Sequence, residues 1–342
     1  MTQTYSHCPL CSSNDLKLLF SGIDRMYGNP GAFPVVRCLS CSLCFLNHQF
    51  TPEELSQYYP NTYYAYQGEE TTLHRPRFKQ WELNLRTAVE HEALSQFCAY
   101  PRQHRATPLV RFLAKRKSKK YAQLPHYIKG GKLLDVGCGG GNYLASMRKL
   151  GWHVEGIEPS HSGVEACLAQ GITAHEGTLE SVYLPDHTFD FIRFEHVLEH
   201  VPDPLRALQE ASRMLKKKGI IRVQVPNIDG LPARWFGTYW YHLDTPRHLF
   251  WFNQKTLHQL VTKANLSIKS SQISNDYSDI SDSLIYWLKE YWPWLAKRMG
   301  QRKTLWKICN KILMPVRIWM NSNQSGSILT IEIQHHDQGI VK

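Results

Sequence analysis

Two pairs of cysteines stand near the N-terminus of the 342-residue chain, Cys8 with Cys11 and Cys38 with Cys41. The tight turn within a C-x-x-C pair brings both sulfurs to one side, so two pairs can supply four thiolates to one tetrahedral zinc ion. Four thiolates leave no open coordination position, so we expect a structural zinc ribbon over residues 1–50. The competing interpretation is four unconnected reduced thiols.

A glycine-rich turn in the middle of the chain has the residues to bind a charged small molecule. Gly137, Gly139 and Gly141 follow an apolar segment that contains Asp135. A pyrophosphate site requires a different glycine spacing, and a carboxylate at position 135 would repel pyrophosphate. A ligand with an ammonium and a sulfonium group suits this turn better, and Glu158 is placed to accept hydrogen bonds from two ribose hydroxyls.

Candidate proton acceptors follow a later strand-like segment, at Glu195, His196, Glu199 and His200. If this segment is helical, His196, Glu199 and His200 lie on one face. Zinc proteases also use an H-x-x-E-H pattern, but the position directly after a strand argues against that class. Three interpretations stay open: catalytic or metal-binding residues, capping and packing, or a solvated face. His200 is the strongest candidate for a general base.

A second group of aromatic and charged residues lies at 240–250. Pro246 confines this stretch to a loop. We expect Tyr241, Arg247 and His248 to form a wall for the substrate, because α/β sheets bind ligands at the carboxyl ends of their strands. The alternative is that these side chains only pack the loop onto the core.

From Lys132 onward, segments typical of strands and helices alternate. The predicted strands are 133–136, 153–158, a short one near 172, 189–194 and 219–225, and the helix before the last of them spans 204–215. This alternation predicts an α/β fold with a parallel, doubly wound sheet.

The combined pattern resembles the class I S-adenosylmethionine (SAM)-dependent methyltransferases. The segments that carry the resemblance are 134–141, 156–160, 177–179, 189–192 and 197–202. The resemblance implies a Rossmann-like sheet of seven strands, the last one antiparallel and located at 327–334. The SAM-binding residues it implies are Asp135, Gly137, Gly139, Gly141, Glu158, Thr178, Leu179 and Phe194. Asp135 is expected at the methionine end, Glu158 at the ribose, and Thr178 and Leu179 beside the adenine.

Two narrower resemblances bear on the methyl acceptor. Segment 196–200 is similar to that of polyprenyl-quinone O-methyltransferases, in which an E-x-x-E-H run is associated with a divalent cation; here His196 replaces the first Glu. An N-terminal ribbon joined to this domain is similar to sugar C-methyltransferases that act on nucleotide-linked deoxysugars. These resemblances imply a small-molecule or lipid-linked acceptor of the glycan or prenylated-quinone class.

The formal net charge of +11 is concentrated in two regions. Residues 93–134 contain no acid, and residues 283–330 contain eight Lys or Arg, one acid and five of the ten tryptophans. The second region predicts amphipathic helices that act as a lid, lie on an anionic membrane surface, or do both. For residues 102–120, a solvated helix, anionic lipid or phosphate, and nucleic acid stay open. The charge motivates an RNA methyltransferase as an alternative; another is a non-catalytic zinc-ribbon protein with a degenerate Rossmann domain.

The chain contains no run of about 18 apolar residues and no leader-like pattern after Met1, so we expect a cytoplasmic protein that at most contacts the inner face of the membrane. The predicted order is a zinc ribbon (1–50), a helical basic region (51–124), the SAM-binding domain (125–279), a Trp-rich basic insertion (280–326), and the last strand with a tail (327–342).

Overall fold

The computed structural model describes residues 4–60, 80–102, 105–117, 121, 124–276, 278–301 and 303–336. Its strands, numbered in chain order, are β1 (Leu16–Gly22), β2 (Phe33–Cys38), β3 (Cys44–Leu46), β4 (Lys132–Val136), β5 (His153–Glu158), β6 (Thr173–Glu176), β7 (Phe189–Glu195), β8 (Leu215–Pro226), β9 (Phe250–Trp251), β10 (Leu266–Ser274) and β11 (Ile328–His335).

Seven strands form the central sheet, in the order β10-β11-β8-β7-β4-β5-β6. Neighbours from β6 to β8 are parallel, and β11 is antiparallel to both β8 and β10. Helices cover the sheet, so its inner strands are near-continuous apolar runs, as in the buried KLLDV of β4. The predicted Rossmann-like sheet with an antiparallel last strand is confirmed, although β8 begins four residues before the predicted Gly219.

The helices of the described residues are α1 (Pro52–Ser56), α2 (Gln80–Cys98), α3 (Pro108–Arg116), α4 (Asn142–Lys149), α5 (His161–Ala169), α6 (Pro204–Met214), α7 (Leu231–Phe236), α8 (Gln254–Lys263), α9 (Asp279–Tyr291), α10 (Pro293–Gln301), α11 (Lys303–Ile312) and α12 (Met314–Ser322). Two single turns of 3-10 helix, Gly237–Tyr239 and Tyr241–Leu243, precede a cis peptide bond at Thr245–Pro246. The stretch around Pro246 is therefore a loop with short turns, as predicted.

The N-terminal cysteine pairs belong to a second sheet, in the order β1-β2-β3-β9. Its fourth strand, β9, comes from the loop region after β8, where Phe250 pairs with Phe45. The side chains of Phe45, Phe250 and Trp251 are each at most 1% exposed and belong to the same core as the central sheet. The ribbon is thus joined to the sheet domain by shared hydrogen bonds and a shared core.

Two helical regions complete the fold. Helices α2 and α3 pack on each other through Val89, Ala93, Val110 and Ala114; Lys119 and Lys120 of the basic region lie outside the described residues. Helices α9–α12, which we call the helical insertion, fill the interval between β10 and β11. None of the described helices is long and apolar enough to cross a membrane.

Candidate active site

The glycine turn follows β4 directly. Gly137, Gly139 and Gly141 have φ values of 68°, 51° and 80°, a region that side chains with a Cβ rarely adopt. A Cβ on Gly137 would lie 2.6 Å from Cγ2 of Val197, so the turn packs closely against the segment after β7. This contact places the turn beside the predicted proton acceptors.

Glu158, the last residue of β5, is hydrogen-bonded to the glycine turn. One carboxylate oxygen accepts a hydrogen bond from the Gly139 amide at 2.8 Å and the other accepts from the Ser160 amide at 3.0 Å. Burial raises the pKa of this carboxyl, and the two backbone donors act in the opposite direction. A carboxylate has about four acceptor sites, so two backbone donors leave acceptor capacity for two ligand hydroxyls.

Asp135 has a different environment from the one expected. Its carboxylate is 1% exposed and accepts two hydrogen bonds from Arg193, at 3.0 and 3.2 Å. The guanidinium also pairs with Glu195 at 2.7 Å and lies 3.8 Å from the ring centroid of Tyr143. Burial raises the pKa of Asp135 to about 6, against the lowering effect of Arg193. The carboxylate is therefore engaged by protein and is not an open contact for an ammonium group.

Arg193 was not among the predicted site residues. The residue lies in β7 directly beside Asp135 of β4. A signal was available, because Arg193 is a charged residue between the apolar Ile192 and Phe194 of a predicted strand. A buried charge in such a strand requires a partner of opposite sign.

The remaining predicted SAM-binding residues differ in accessibility. Thr178 is exposed after β6, and its amide donates to the Ser181 hydroxyl at 2.8 Å. Leu179 is 4% exposed and Phe194 is 0% exposed, both within the main hydrophobic core. The Phe194 side chain is fully buried, so a contact of this residue with the cofactor would have to come from its backbone.

The segment after β7 is a turn and not the helix that would have placed its residues on one face. His196 has φ 53°, which interrupts any helix at that position. The turn nevertheless brings His196 and Glu199 together, with Nδ1 of His196 3.3 Å from Oε1 of Glu199. Nδ1 of His200 lies 3.0 Å from the carbonyl oxygen of Arg247 and 2.9 Å from the Tyr59 hydroxyl.

Two histidines of the 240–250 loop complete what we call the His/Glu cluster: His196, Glu199, His200, His242 and His248. Nδ1 of His248 lies 2.8 Å from the His242 carbonyl oxygen, and its ring centroid is 4.5 Å from that of His200. Nε2 of His248 is 4.0 Å from Oε1 of Glu199. One nitrogen of each of these two rings and one Glu199 oxygen lie within 4.8 Å of one another.

The protonation pattern of the cluster follows from its hydrogen bonds. A carbonyl oxygen can only accept, so Nδ1 of His200 and Nδ1 of His248 carry the protons and both Nε2 atoms keep lone pairs. Burial lowers the pKa of both rings. Oε2 of the fully buried Glu199 has no hydrogen-bond partner among the described residues. The cluster can therefore accept a proton or bind a cation.

Arg247 does not form part of a substrate wall. It is 0% exposed, and its guanidinium binds Asp24 at 2.7 and 3.1 Å and Asp244 at 2.6 and 3.0 Å. Asp24 belongs to the loop between β1 and β2, so this pair fastens the N-terminal sheet to the 240–250 loop. The predicted acceptor role of Arg247 is wrong, because both partners are buried acids of the same chain.

Tyr241 lies at the junction of this loop and the helical insertion. Its amide donates to the Ser283 hydroxyl at 2.9 Å, and its ring centroid is 5.9 Å from that of Tyr286. The half-buried ring also lies 5.2 Å from the ring of His242. Tyr241 thus connects α9 with the His/Glu cluster.

The four N-terminal cysteines converge. The sulfurs of Cys8 and Cys41 are 3.5 Å apart, as are those of Cys11 and Cys38, and all four lie within 4.8 Å of one another. Four sulfurs at about 2.3 Å from one tetrahedral zinc ion would be separated by roughly 3.8 Å. The geometry and the donor set fit zinc. Cys44 is buried beside Arg37 and lies outside this group.

Comparisons with known proteins identify the sheet domain. A family model described as a methyltransferase domain matches residues 100–271, half of the chain. The ubiquinone biosynthesis O-methyltransferase of Haemophilus ducreyi is 36% identical over 110 residues, which cover 29% of this chain and 46% of that protein. The corresponding protein of Bradyrhizobium diazoefficiens is 31% identical over 134 residues, covering 36% and 53%.

The chain spans about half the length of the curated relatives it matches. Among solved structures, a SAM-dependent methyltransferase of Thermotoga maritima is 20% identical, with a TM-score of 0.43 and coverage of 75% of this chain and 100% of that chain. A likeness this distant does not bear on the acceptor. Neither alternative, an RNA methyltransferase or a non-catalytic ribbon protein, is favoured by these relatives. With half of its length matched by the family model, the chain belongs to the methyltransferase-domain family.

Proposed function

We propose that the protein transfers the methyl group of SAM to a hydroxyl of a lipid-linked small molecule of the prenylated-quinone class, with a glycan acceptor as the second candidate. The single observation that carries this proposal is that the segment with His196, Glu199 and His200 packs on the glycine turn, because Val197 of that segment contacts Gly137. The named relatives favour the quinone class.

In this proposal the cofactor lies along the carboxyl ends of β4 and β5. Gly137 and Gly139 allow the backbone to approach it, and Gly141 begins α4 behind it. The spare acceptor sites of Glu158 bind the ribose hydroxyls, and Thr178 and Leu179 flank the adenine. Asp135 acts indirectly, by holding Arg193 beneath the turn.

His200 is the proposed general base. With its Nδ1 proton donated to the Arg247 carbonyl, its Nε2 lone pair accepts the proton of the acceptor hydroxyl. The hydroxyl oxygen then forms a bond to the methyl carbon while the bond from that carbon to the sulfonium breaks, and S-adenosylhomocysteine leaves as a neutral thioether. Burial keeps His200 neutral at physiological pH because it lowers the pKa of the ring. The protein otherwise contributes orientation of the two reactants.

The same donors fit a divalent cation. Glu199, His200 and His248 would hold it. In both rings the other nitrogen, Nδ1, donates a hydrogen bond to a backbone carbonyl, as in metal-bound histidines. Such an ion would supply Lewis-acid stabilisation of the ionised acceptor oxygen. His196, which stands at the first Glu position of the related motif, contacts Glu199 and orients it.

The test is transfer of labelled methyl from SAM to a short-chain prenylated catechol. We expect His200→Ala to lower turnover by roughly 10²-fold or more while SAM affinity stays nearly unchanged. His153→Ala, which removes an exposed histidine at the opposite end of β5, is the matched control and should retain activity. If a chelator abolishes wild-type activity and a divalent ion restores it, the cluster acts through a cation.

Two results would contradict the proposal. One is labelling of an RNA fraction with none in the catechol. The other is full activity in His200→Ala. If a nucleotide-linked sugar is labelled and the catechol is not, the acceptor belongs to the glycan class.

We also propose that Cys8, Cys11, Cys38 and Cys41 bind one structural zinc ion. The ribbon strands are short, so the metal would supply much of their folding free energy. Protein purified without chelator should contain one zinc per chain, and Cys8→Ser should lose it together with stability. Zinc-free protein of unchanged stability would contradict this assignment. Cys44→Ser is the control, since its sulfur lies outside the group.

A further inference from the structure

The helical insertion buries polar side chains in its interior. Ser281 and Asn310 are 0% exposed and Arg317 is 8% exposed. Nη2 of Arg317 donates to the Asn310 carbonyl at 2.9 Å, and the Asn310 amide donates to the Ser281 hydroxyl at 3.1 Å. These contacts show that the inward faces of α9, α11 and α12 are joined by hydrogen bonds.

The outward faces carry the large apolar side chains. The exposed set, with relative exposures, is Trp292 50%, Trp294 67%, Ile308 47%, Ile312 70%, Met314 49%, Ile318 58% and Trp319 54%. Contiguous exposed apolar surface on a folded protein marks an interaction site. The insertion also buries Leu288 and Met320, so the exposed side chains lie outside the face that packs on the protein.

The spacing of these residues gathers them into stripes. Ile308 and Ile312 of α11 are four residues apart, as are Met314 and Ile318 of α12, so each pair shares one helix face. On α10, Trp294 and Arg298 have the same spacing. Helices α11 and α12 therefore each present a pair of neighbouring exposed apolar side chains on one face.

The charge around these stripes is almost entirely positive. Lys289, Lys297, Arg298 and Lys311 are exposed. The one acid of residues 283–330, Glu290, is paired with Arg25 at 3.0 Å. Cations beside exposed tryptophan and aliphatic side chains are the composition of helices that lie in the interface of an anionic bilayer.

We infer that the helical insertion binds an anionic phospholipid surface. Its tryptophan and aliphatic side chains enter the interfacial region, and Lys289, Lys297, Arg298 and Lys311 contact the headgroups. The insertion also contacts the candidate site, because the α9 residue Ser283 accepts a hydrogen bond from the Tyr241 amide and the Tyr241 ring lies against His242 of the His/Glu cluster. This arrangement suits a lipid-linked acceptor, but binding to lipid does not depend on which acceptor is methylated.

The experiment is co-sedimentation of the full chain with phosphatidylcholine vesicles, with and without phosphatidylglycerol, over a series of rising salt concentrations. We expect binding only with the anionic lipid and a decrease with salt. Lys297→Glu with Arg298→Glu should lower the partition coefficient by about a hundredfold or more, since two attractive charges become repulsive. Trp294→Ala with Trp319→Ala should lower it as well, at every salt concentration.

Matched control variants test whether binding depends on residues of the helical insertion or only on net charge and tryptophan content. Lys217→Glu with Lys218→Glu makes the same change in net charge at exposed positions near the start of β8, and should bind like the wild type. Trp81→Ala removes a tryptophan of similar exposure, 61%, from α2 and should also have no effect. Circular dichroism of each variant confirms that it is folded.

Equal recovery of wild type and the insertion variants in the supernatant would overturn the inference. So would a stable dimer by light scattering that the Trp294→Ala with Trp319→Ala variant converts to monomer while no vesicle binding occurs. The vesicle experiment contains neither SAM nor acceptor. A failure to bind vesicles would therefore not contradict the methyl-transfer proposal, and a failure of methyl transfer would not contradict vesicle binding.

Discussion

The central sheet and the helical insertion differ in where they place their large apolar side chains. In the sheet, β7 buries Phe191, Ile192 and Phe194, while its Arg193 pairs with the buried Asp135. In the insertion, Asn310 and Arg317 are buried and Trp319 is exposed. The stability of the sheet therefore comes mainly from apolar burial, whereas the exposed tryptophan and aliphatic side chains of the insertion contribute little to folding and remain available for binding.

The largest expected effect comes from removing one large apolar side chain from each region. Phe194→Ala should lower the free energy of unfolding by about 3–5 kcal/mol, because it leaves a cavity in the core. Trp319→Ala should change it by no more than about 0.5 kcal/mol, as for an exposed site. Denaturant unfolding monitored by circular dichroism measures both. A loss of several kcal/mol in Trp319→Ala would mean that this side chain is packed in the folded protein.

A smaller effect on stability is expected from the buried carboxylates of the two regions, which differ in their partners. Asp135 of the sheet has Arg193 as a partner, whereas Oδ2 of Asp279 in α9 has no hydrogen-bond partner among the described residues. Burial raises the pKa of Asp279 to about 7. The folded state therefore retains the proton longer than the unfolded state, and this residue costs stability as the pH rises from its usual value of 3.8 through 7.

Asp279→Asn should consequently stabilise the protein more at high pH than at low pH. Between about pH 5 and pH 8 the difference in unfolding free energy between variant and wild type should grow by about 3 kcal/mol. Parallel urea titrations at the two pH values measure this difference. A gap that stays constant or shrinks with rising pH would show that the Asp279 carboxylate is solvated or paired.

The parts of the fold that depend on local sequence were predictable. The glycine turn and the strand His153–Glu158 follow from patterns within a few residues, and the structure has them. The four cysteines were also predictable as a group, because the spacing within each pair fixes where the sulfurs point. In each case the signal lies in neighbouring residues.

What the sequence did not reveal are contacts between distant residues. Arg247 was assigned to the acceptor because Arg in a loop near strand ends suggests a ligand, but Asp24, 223 residues away, is its partner. His196 was placed on a helix by spacing alone, whereas its positive φ produces a turn. The role of His248 beside Glu199 likewise depends on how two separate loops meet.

The most direct test of a cofactor site at the glycine turn is calorimetric titration of the full chain with SAM. We expect micromolar binding to the wild type, and at least about tenfold weaker binding to Glu158→Ala, because charge-assisted hydrogen bonds to the ribose would be lost. Gly137→Arg should abolish binding, since a side chain there meets Val197 and occupies the turn. Equal affinity in the wild type and in both folded variants would contradict a cofactor site at the glycine turn.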